Sequence, residues 1–207
     1  AGIAGFLSGK AVGCVNKGAV TLQFPYSKAD AGNGYLPQLV GKTFTAGTYY
    51  GTPAAAGIAA YSYSATPAEA LLDGCVNDGA ISFTAANIEK YTTTVQRVQA
   101  AGIIANPWGL IRNCTNNGPL SFVARCTDEG SASGGTYLMC CGGIAGAAWF
   151  ETSQDLTSFE GCVNNGEIEF VKYDKKGSSN STCGGICGWP GVEGSRSNLS
   201  KNCTNNG

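Results

Sequence analysis

Histidine is absent from this 207-residue chain, and charge is scarce: 13 % of residues are Asp, Glu, Lys or Arg, and the formal net charge is −1. Without histidine there is no Ser/His or Cys/His nucleophilic pair and no imidazole metal site. A near-neutral chain with no basic patch is not built to hold nucleic-acid backbones. No apolar run reaches the roughly 20 residues that a membrane-spanning helix needs. Glycine is plentiful, at 31 residues, but it follows no three-residue period, which excludes a collagen-like chain.

What is present is repetition. GCVNKG (13–18), GCVNDG (74–79), NCTNNG (113–118), GCVNNG (161–166) and NCTNNG (202–207) share the core C-x-N-x-G. After each of the first four glycines come apolar residues in alternation: Val20, Leu22 and Phe24, then Ile81 with Phe83, Leu120 with Phe122, and Ile168 with Phe170. A period of two places one side of a β-strand inward and the other outward. The residue three before the cysteine is apolar in four copies (Ala11, Leu72, Ile111, Phe159) and Ser200 in the last. Upstream of each copy stands a second phrase: AGIAG (1–5), AGIAA (56–60), AGIIA (101–105), GGIAG (142–146) and GGICG (184–188).

Each repeat therefore holds three short apolar segments with no room for a long helix. This predicts an all-β fold, a parallel β-helix of about five coils starting near 1, 56, 101, 142 and 184, each coil triangular. The cysteines are 61, 39, 48 and 41 residues apart, so the coils share strands and differ in loops. Insertions are expected at 25–55, 86–100, 125–140 and 172–182, and again at 61–71, 147–158 and 189–200. The run Thr66-Pro67-Ala68-Glu69 has the make-up of a short helical turn. Positions 1–207 read as a single repeat domain, expected to be a piece of a longer chain.

The ordered set of G-I-x-G, C-x-N-x-G and alternating strand resembles the GLUG-type repeats of bacterial cell-surface and secreted proteins. The resemblance spans nearly the whole chain outside the insertions. It implies a right-handed β-helical stalk or adhesive region, sometimes beside a separate enzyme domain. The long unequal insertions and the many extra cysteines depart from that pattern.

The ten cysteines form two groups. Cys14, Cys75, Cys114, Cys162 and Cys203 share one repeat position and are expected to stack as a column. Parallel strands lie about 4.8 Å apart, wider than the roughly 3.5–4.5 Å between the β-carbons of a disulfide. The column is therefore expected to be reduced, its thiols acting as small buried hydrophobes; alternating disulfides are the rival. Cys126, Cys140, Cys141, Cys183 and Cys187 lie beside insertions and are candidate disulfide partners. Cys126 with Cys140 would staple a loop, and Cys141 and Cys183 are equivalent positions. So many cysteines point to an oxidising, extracellular setting. The doublet 140–141 and the pair 183–187 lack the matched partners of a zinc site, so no metal or cofactor is expected.

Asn16, Asn77, Asn116, Asn164 and Asn205 should form an amide column at a corner, because buried amides need partners. The glycine two residues on (Gly18, Gly79, Gly118, Gly166, Gly207) is where the corner is expected to need positive φ. Asn180 and Asn198 head glycosylation sequons on expected loops.

Aromatics in the insertions, notably Tyr49, Tyr50, Trp108, Trp149 and Trp189, could meet sugar rings or a protein partner, or could pack the insertions onto the coil. Glu167 and Glu169 invite the idea of a polysaccharide-cleaving site. Ser82 and Ser121 at the place of Glu169 in neighbouring coils build no acidic groove, and a solvated face is the reading. The expectation is a non-enzymatic structural or adhesive module outside the cell or at its surface. It would associate end to end into filaments through unpaired strand edges, or hold a surface glycan or protein.

Overall fold

The structure, a computed structural model, describes residues 1–25, 54–62, 71–88, 96–126, 137–148, 157–174, 180–189 and 199–207. Outside these lie Tyr49, Tyr50, Trp149 and Asn198, the expected helical turn at 66–69, and part of each insertion. Among the described residues there is no helix, and every strand pairing is parallel.

The strands form five ladders that run along one axis, each adding one strand per coil. In the order the chain visits them, the first is an entry ladder: Ala54–Ala56, Gln96–Ala101, Tyr137–Gly142 and Asn180–Gly184. An alanine-rich ladder follows (Ala4–Leu7, Ala59–Ser62, Ile104–Asn106, Ala145–Ala147, Cys187–Trp189). The pre-cysteine ladder is Lys10–Val12, Leu71–Asp73, Leu110–Arg112, Ser158–Glu160 and Leu199–Lys201. Two-residue strands make the asparagine ladder: Val15–Asn16, Val76–Asn77, Thr115–Asn116, Val163–Asn164 and Thr204–Asn205. The aromatic ladder closes the coil with Val20–Pro25, Ile81–Ile88, Leu120–Cys126 and Ile168–Asp174. The chain is a parallel β-helix.

Two features differ from the sequence reading. A full coil has five strands, not three, because the C-x-N segment is bent at its start and the stretch before Gly-Ile is a strand of its own. The expected insertions at 86–100, 125–140 and 172–182 thus contain ladder strands at both ends.

The second correction concerns the corner. Positive φ falls on the residue before the cysteine: Gly13 (62°), Gly74 (62°), Asn113 (52°), Gly161 (60°) and Asn202 (53°). Glycine and asparagine are the residues that enter this left-handed region most readily, which is why the motif opens with Gly-Cys or Asn-Cys and nothing else. Gly79, Gly118 and Gly166 are required for a different reason. A β-carbon on any of them would run into the backbone carbonyl of the equivalent glycine in the preceding coil.

Among the described residues, two large apolar compartments fill the interior. One gathers Leu72, Ile111 and Phe159 with Ile58, Ile103, Ile144 and the buried thiols of Cys75, Cys114 and Cys162. The other holds Ile81, Leu120, Phe83, Phe122, Ala100 and Met139 with Cys141. Phe83 stacks on Phe122 at 4.9 Å and Phe122 on Phe170 at 5.2 Å, nearly parallel. In-register stacking of identical positions makes columns of like side chains, so each coil buries its faces against the next.

Candidate functional site: columns along the axis

The cysteine column begins at the bend. The left-handed residue turns the chain, and the next side chain, cysteine, points inward against the apolar compartment. The carbonyl of each of the first four cysteines receives the amide of the residue just after the cysteine of the next coil: Val76 N–H donates to Cys14 O at 2.8 Å, and Thr115, Val163 and Thr204 donate likewise to Cys75, Cys114 and Cys162 at 2.9 Å. The five cysteines are therefore in register. Cys75, Cys114 and Cys162 are fully buried.

The sulfurs have regular partners. Each buried thiol has carbonyls flanking the bend within reach of its single proton: Ala11 O for Cys75 (3.5 Å), Arg112 O (3.2 Å) or Leu72 O (3.6 Å) for Cys114, and Ile111 O for Cys162 (3.5 Å). The backbone amide of Cys14 acts on the Cys75 sulfur, that of Cys75 on Cys114, that of Cys114 on Cys162, and that of Cys162 on Cys203. The neighbouring thiols of Cys162 and Cys75, together with burial, hold Cys114 far above the ordinary thiol range. The Cys114 thiol beside them lowers Cys75 and Cys162, against the opposing effect of burial. A small polar atom that both gives and takes a bond suits this corner better than a methyl group would.

The cysteines with described side chains all carry free thiols: Cys14, Cys75, Cys114, Cys140, Cys141, Cys162, Cys183, Cys187 and Cys203. Cys141 and Cys183 are direct register partners in the entry ladder. The Cys141 thiol bonds that of Cys183, which lowers Cys183 to about 7. Burial pushes Cys187 up to about 11. Cys140 accepts a 3.5 Å bond from Thr182 Oγ1 and packs against Ala147 and Trp189, facing away from Cys141. Cys126 ends the aromatic ladder, a different wall from Cys140; its side chain is not among the described ones.

The asparagine column is continuous. Asn16 Nδ2 donates to Asn77 Oδ1 (2.7 Å), Asn77 to Asn116, Asn116 to Asn164 and Asn164 to Asn205 (each 2.8 Å). The second proton of each amide goes to the carbonyl of the motif glycine two residues on, at 2.8–3.0 Å. Asn77, Asn116 and Asn164 are fully buried. The column faces the glycine of the Gly-Ile phrase in its own coil. A β-carbon on Gly57, Gly102 or Gly143 would strike the amide of Asn77, Asn116 or Asn164. The two sequence phrases of one repeat are thus the two sides of one close contact.

Two further columns escaped the sequence reading. On the outside of the corner, Asn117 Nδ2 donates to Asp78 Oδ1, Asn165 to Asn117 and Asn206 to Asn165, all at 2.8 Å. Its donors point toward earlier coils, opposite to the buried column. In the pre-cysteine ladder Asp73, Arg112, Glu160 and Lys201 are direct register partners, so charge alternates coil by coil. Arg112 pairs with Asp73 at 2.8 Å and Lys201 with Glu160 at 3.8 Å. The hydrogen bond from Arg112 holds the Asp73 carboxyl below its usual range. Aligning the repeats on their cysteines shows D, R, E, K two residues upstream, a signal visible once the register is known.

Trp108 and Trp189 are half-buried. The Trp108 backbone is stitched to Ser62, with its N–H donating to Ser62 Oγ at 2.8 Å. Glu169 is exposed and accepts a 2.7 Å bond from Ser121 Oγ, while Glu167 precedes the strand. Asn180 opens the last strand of the entry ladder rather than lying on a loop.

Comparison with protein-family models, with curated proteins and with solved structures finds no match. The GLUG-type resemblance rests on the motif residues alone.

Proposed function

We propose that this chain is a structural module of an extracellular or cell-surface protein, a rod whose task is to span distance and present its side loops. The observation that carries this reading is the continuity of the asparagine column through all five coils, buried from Asn16 to Asn164. Side-chain hydrogen bonds of this kind add to five backbone ladders along the same axis, which makes the long direction the stiff one. The resemblance to GLUG-type surface repeats favours a setting outside the cell. End-to-end association through strand edges would extend the rod into a filament.

Electron microscopy of the isolated chain, with sedimentation over a range of concentrations, tests this. Five coils at about 4.8 Å each rise only about 24 Å, so rods one coil wide that lengthen with concentration support it, and particles that stay at the size of one chain at every concentration refute it. An adhesive variant, with loop aromatics on glycans, is separated by a glycan array read with Trp108→Ala and Trp189→Ala. The packing of Trp189 on Cys140 and Ala147 favours the structural role for that residue, so its replacement should lower stability rather than abolish a specific signal.

A further inference from the structure

The cysteine column has a geometry that its packing role does not require. Five sulfurs stand in register on one corner, and each is the only side chain of its coil in that column. Successive coils are about 4.8 Å apart, too far for the roughly 3.5–4.5 Å β-carbon separation of a disulfide. Two metal–thiolate bonds of about 2.3 Å placed end to end span about 4.6 Å. The spacing that disfavours S–S therefore suits S–metal–S in a straight line along the axis.

The surroundings narrow the choice of ion. Among the described residues no three His, Cys, Asp or Glu side chains converge as a metal ion of higher coordination would need, so the tetrahedral site of zinc is not on offer. The compartment around Cys75, Cys114 and Cys162 is apolar, lined by Leu72, Ile111, Phe159 and the isoleucines. It contains no carboxylate to attract a hard cation. Soft thiolates in a dry site select soft monovalent d10 cations, which accept two collinear ligands. The backbone amide from the preceding coil at Cys75, Cys114, Cys162 and Cys203 offers a donor to a thiolate.

We propose that the column binds Cu(I)-class cations, each held linearly between the sulfurs of two successive coils. Binding one ion releases two thiol protons, 2 RSH + M⁺ → [RS–M–SR]⁻ + 2 H⁺, with no change of oxidation state. A sulfur bonded to one ion cannot serve a second ion on its opposite side in the same straight line, because its two metal bonds would then have to be collinear. Ions therefore occupy pairs that share no sulfur, and five sulfurs hold at most two ions.

This exclusion gives a positional signature. Removing the middle sulfur, Cys114→Ser, leaves the pairs Cys14–Cys75 and Cys162–Cys203, so capacity is unchanged. Removing Cys75 leaves only three sulfurs in succession, and capacity falls by one; Cys162→Ser does the same. The double variant Cys75→Ser, Cys162→Ser has no adjacent pair and loses two. Serine keeps a donor for the corner carbonyls, and far-UV circular dichroism checks that each variant folds. The same set made with alanine provides a second, independent reading.

The test refolds each chain anaerobically with Ag(I), a redox-inert probe of the class, removes unbound ion and counts what stays by native mass spectrometry. The other five cysteines are present in every chain, so differences from the unsubstituted protein isolate the column. Losses of none, one, one and two ions for Cys114, Cys75, Cys162 and the double variant establish the proposal. Equal loss at Cys114 and Cys75, or no loss in the double variant, overturns it. So does an X-ray absorption spectrum of the column-bound silver, taken as the difference between unsubstituted and double-variant chains, that shows three or four sulfurs.

Discussion

Replacing Asn116 by alanine should be far more costly than replacing Asn165, although both are asparagines of one repeat family and both sit in amide columns. Asn116 makes three side-chain hydrogen bonds, to Gly118 O at 2.9 Å, to Asn164 Oδ1 at 2.8 Å and from Asn77 Nδ2 at 2.8 Å. At a net value of about 1 kcal/mol each, these sum to about 3 kcal/mol. The deletion also leaves Asn164 Oδ1 without its donor in a site closed to water, and a stranded buried polar group costs about 1–3 kcal/mol more. The expected loss for Asn116→Ala is therefore about 4–6 kcal/mol. Asn165 makes two such bonds, to Asn117 Oδ1 and from Asn206 Nδ2, both 2.8 Å and exposed. Water replaces them, and Asn165→Ala should stay within about 0.5 kcal/mol of the parent. Urea unfolding followed by circular dichroism, with m-values compared so that loss of cooperativity in a repeat array is not mistaken for lost stability, reads both. Equal effects, or a loss below about 1 kcal/mol at Asn116, would refute the claim that burial gives the inner column its strength.

Other substitutions test the corner and the flanking columns. Gly74→Ala should cost about 1–2 kcal/mol, the penalty for left-handed backbone, because no atom lies near the added carbon. Gly79→Ala should cost clearly more, since its β-carbon meets the Gly18 carbonyl; the same urea titration ranks the two. Arg112→Glu places like charges beside Asp73 and Glu160 and should lower the melting temperature most at low ionic strength, with Asp73→Lys in the same chain restoring part of the loss because the repulsion from Glu160 remains. For Asp73 the folded pKa is depressed. The stability it contributes is therefore present above the ordinary carboxylate range and lost as pH falls through the folded value. In Asp73→Asn this acid-side slope should shrink in a pH series of melting temperatures. Thiol alkylation followed by peptide mass spectrometry should label Cys183 with a midpoint near pH 7, and Cys187 only toward about pH 11.

Much of the architecture was legible because it is written in local pattern. The alternation Ile81, Phe83 and Leu120, Phe122 marks inward strand faces, and these four side chains are buried in one compartment. The return of Cys-x-Asn-x-Gly places thiols and amides at equivalent points of successive coils. The bend was less legible. In Gly-Cys-Val-Asn-Asp-Gly both glycines are candidates for a left-handed residue, and only the backbone shows that Gly74 takes that conformation while Gly79 is small to let two coils approach. The entry strands were hidden in what looked like insertions, because Gln96–Ala101 and Asn180–Gly184 lack regular alternation and become strands only by pairing with neighbours.

The sequence by itself determined that equivalent residues recur often enough to stack, and which side chains would face inward, since both depend on spacing of a few residues. Tertiary structure decided what each column does. Whether Asp73 meets an arginine, or Asn117 an aspartate, depends on a partner 39 residues away along the chain, and the unequal loops between coils conceal that pairing until the backbone ladders bring the two side by side.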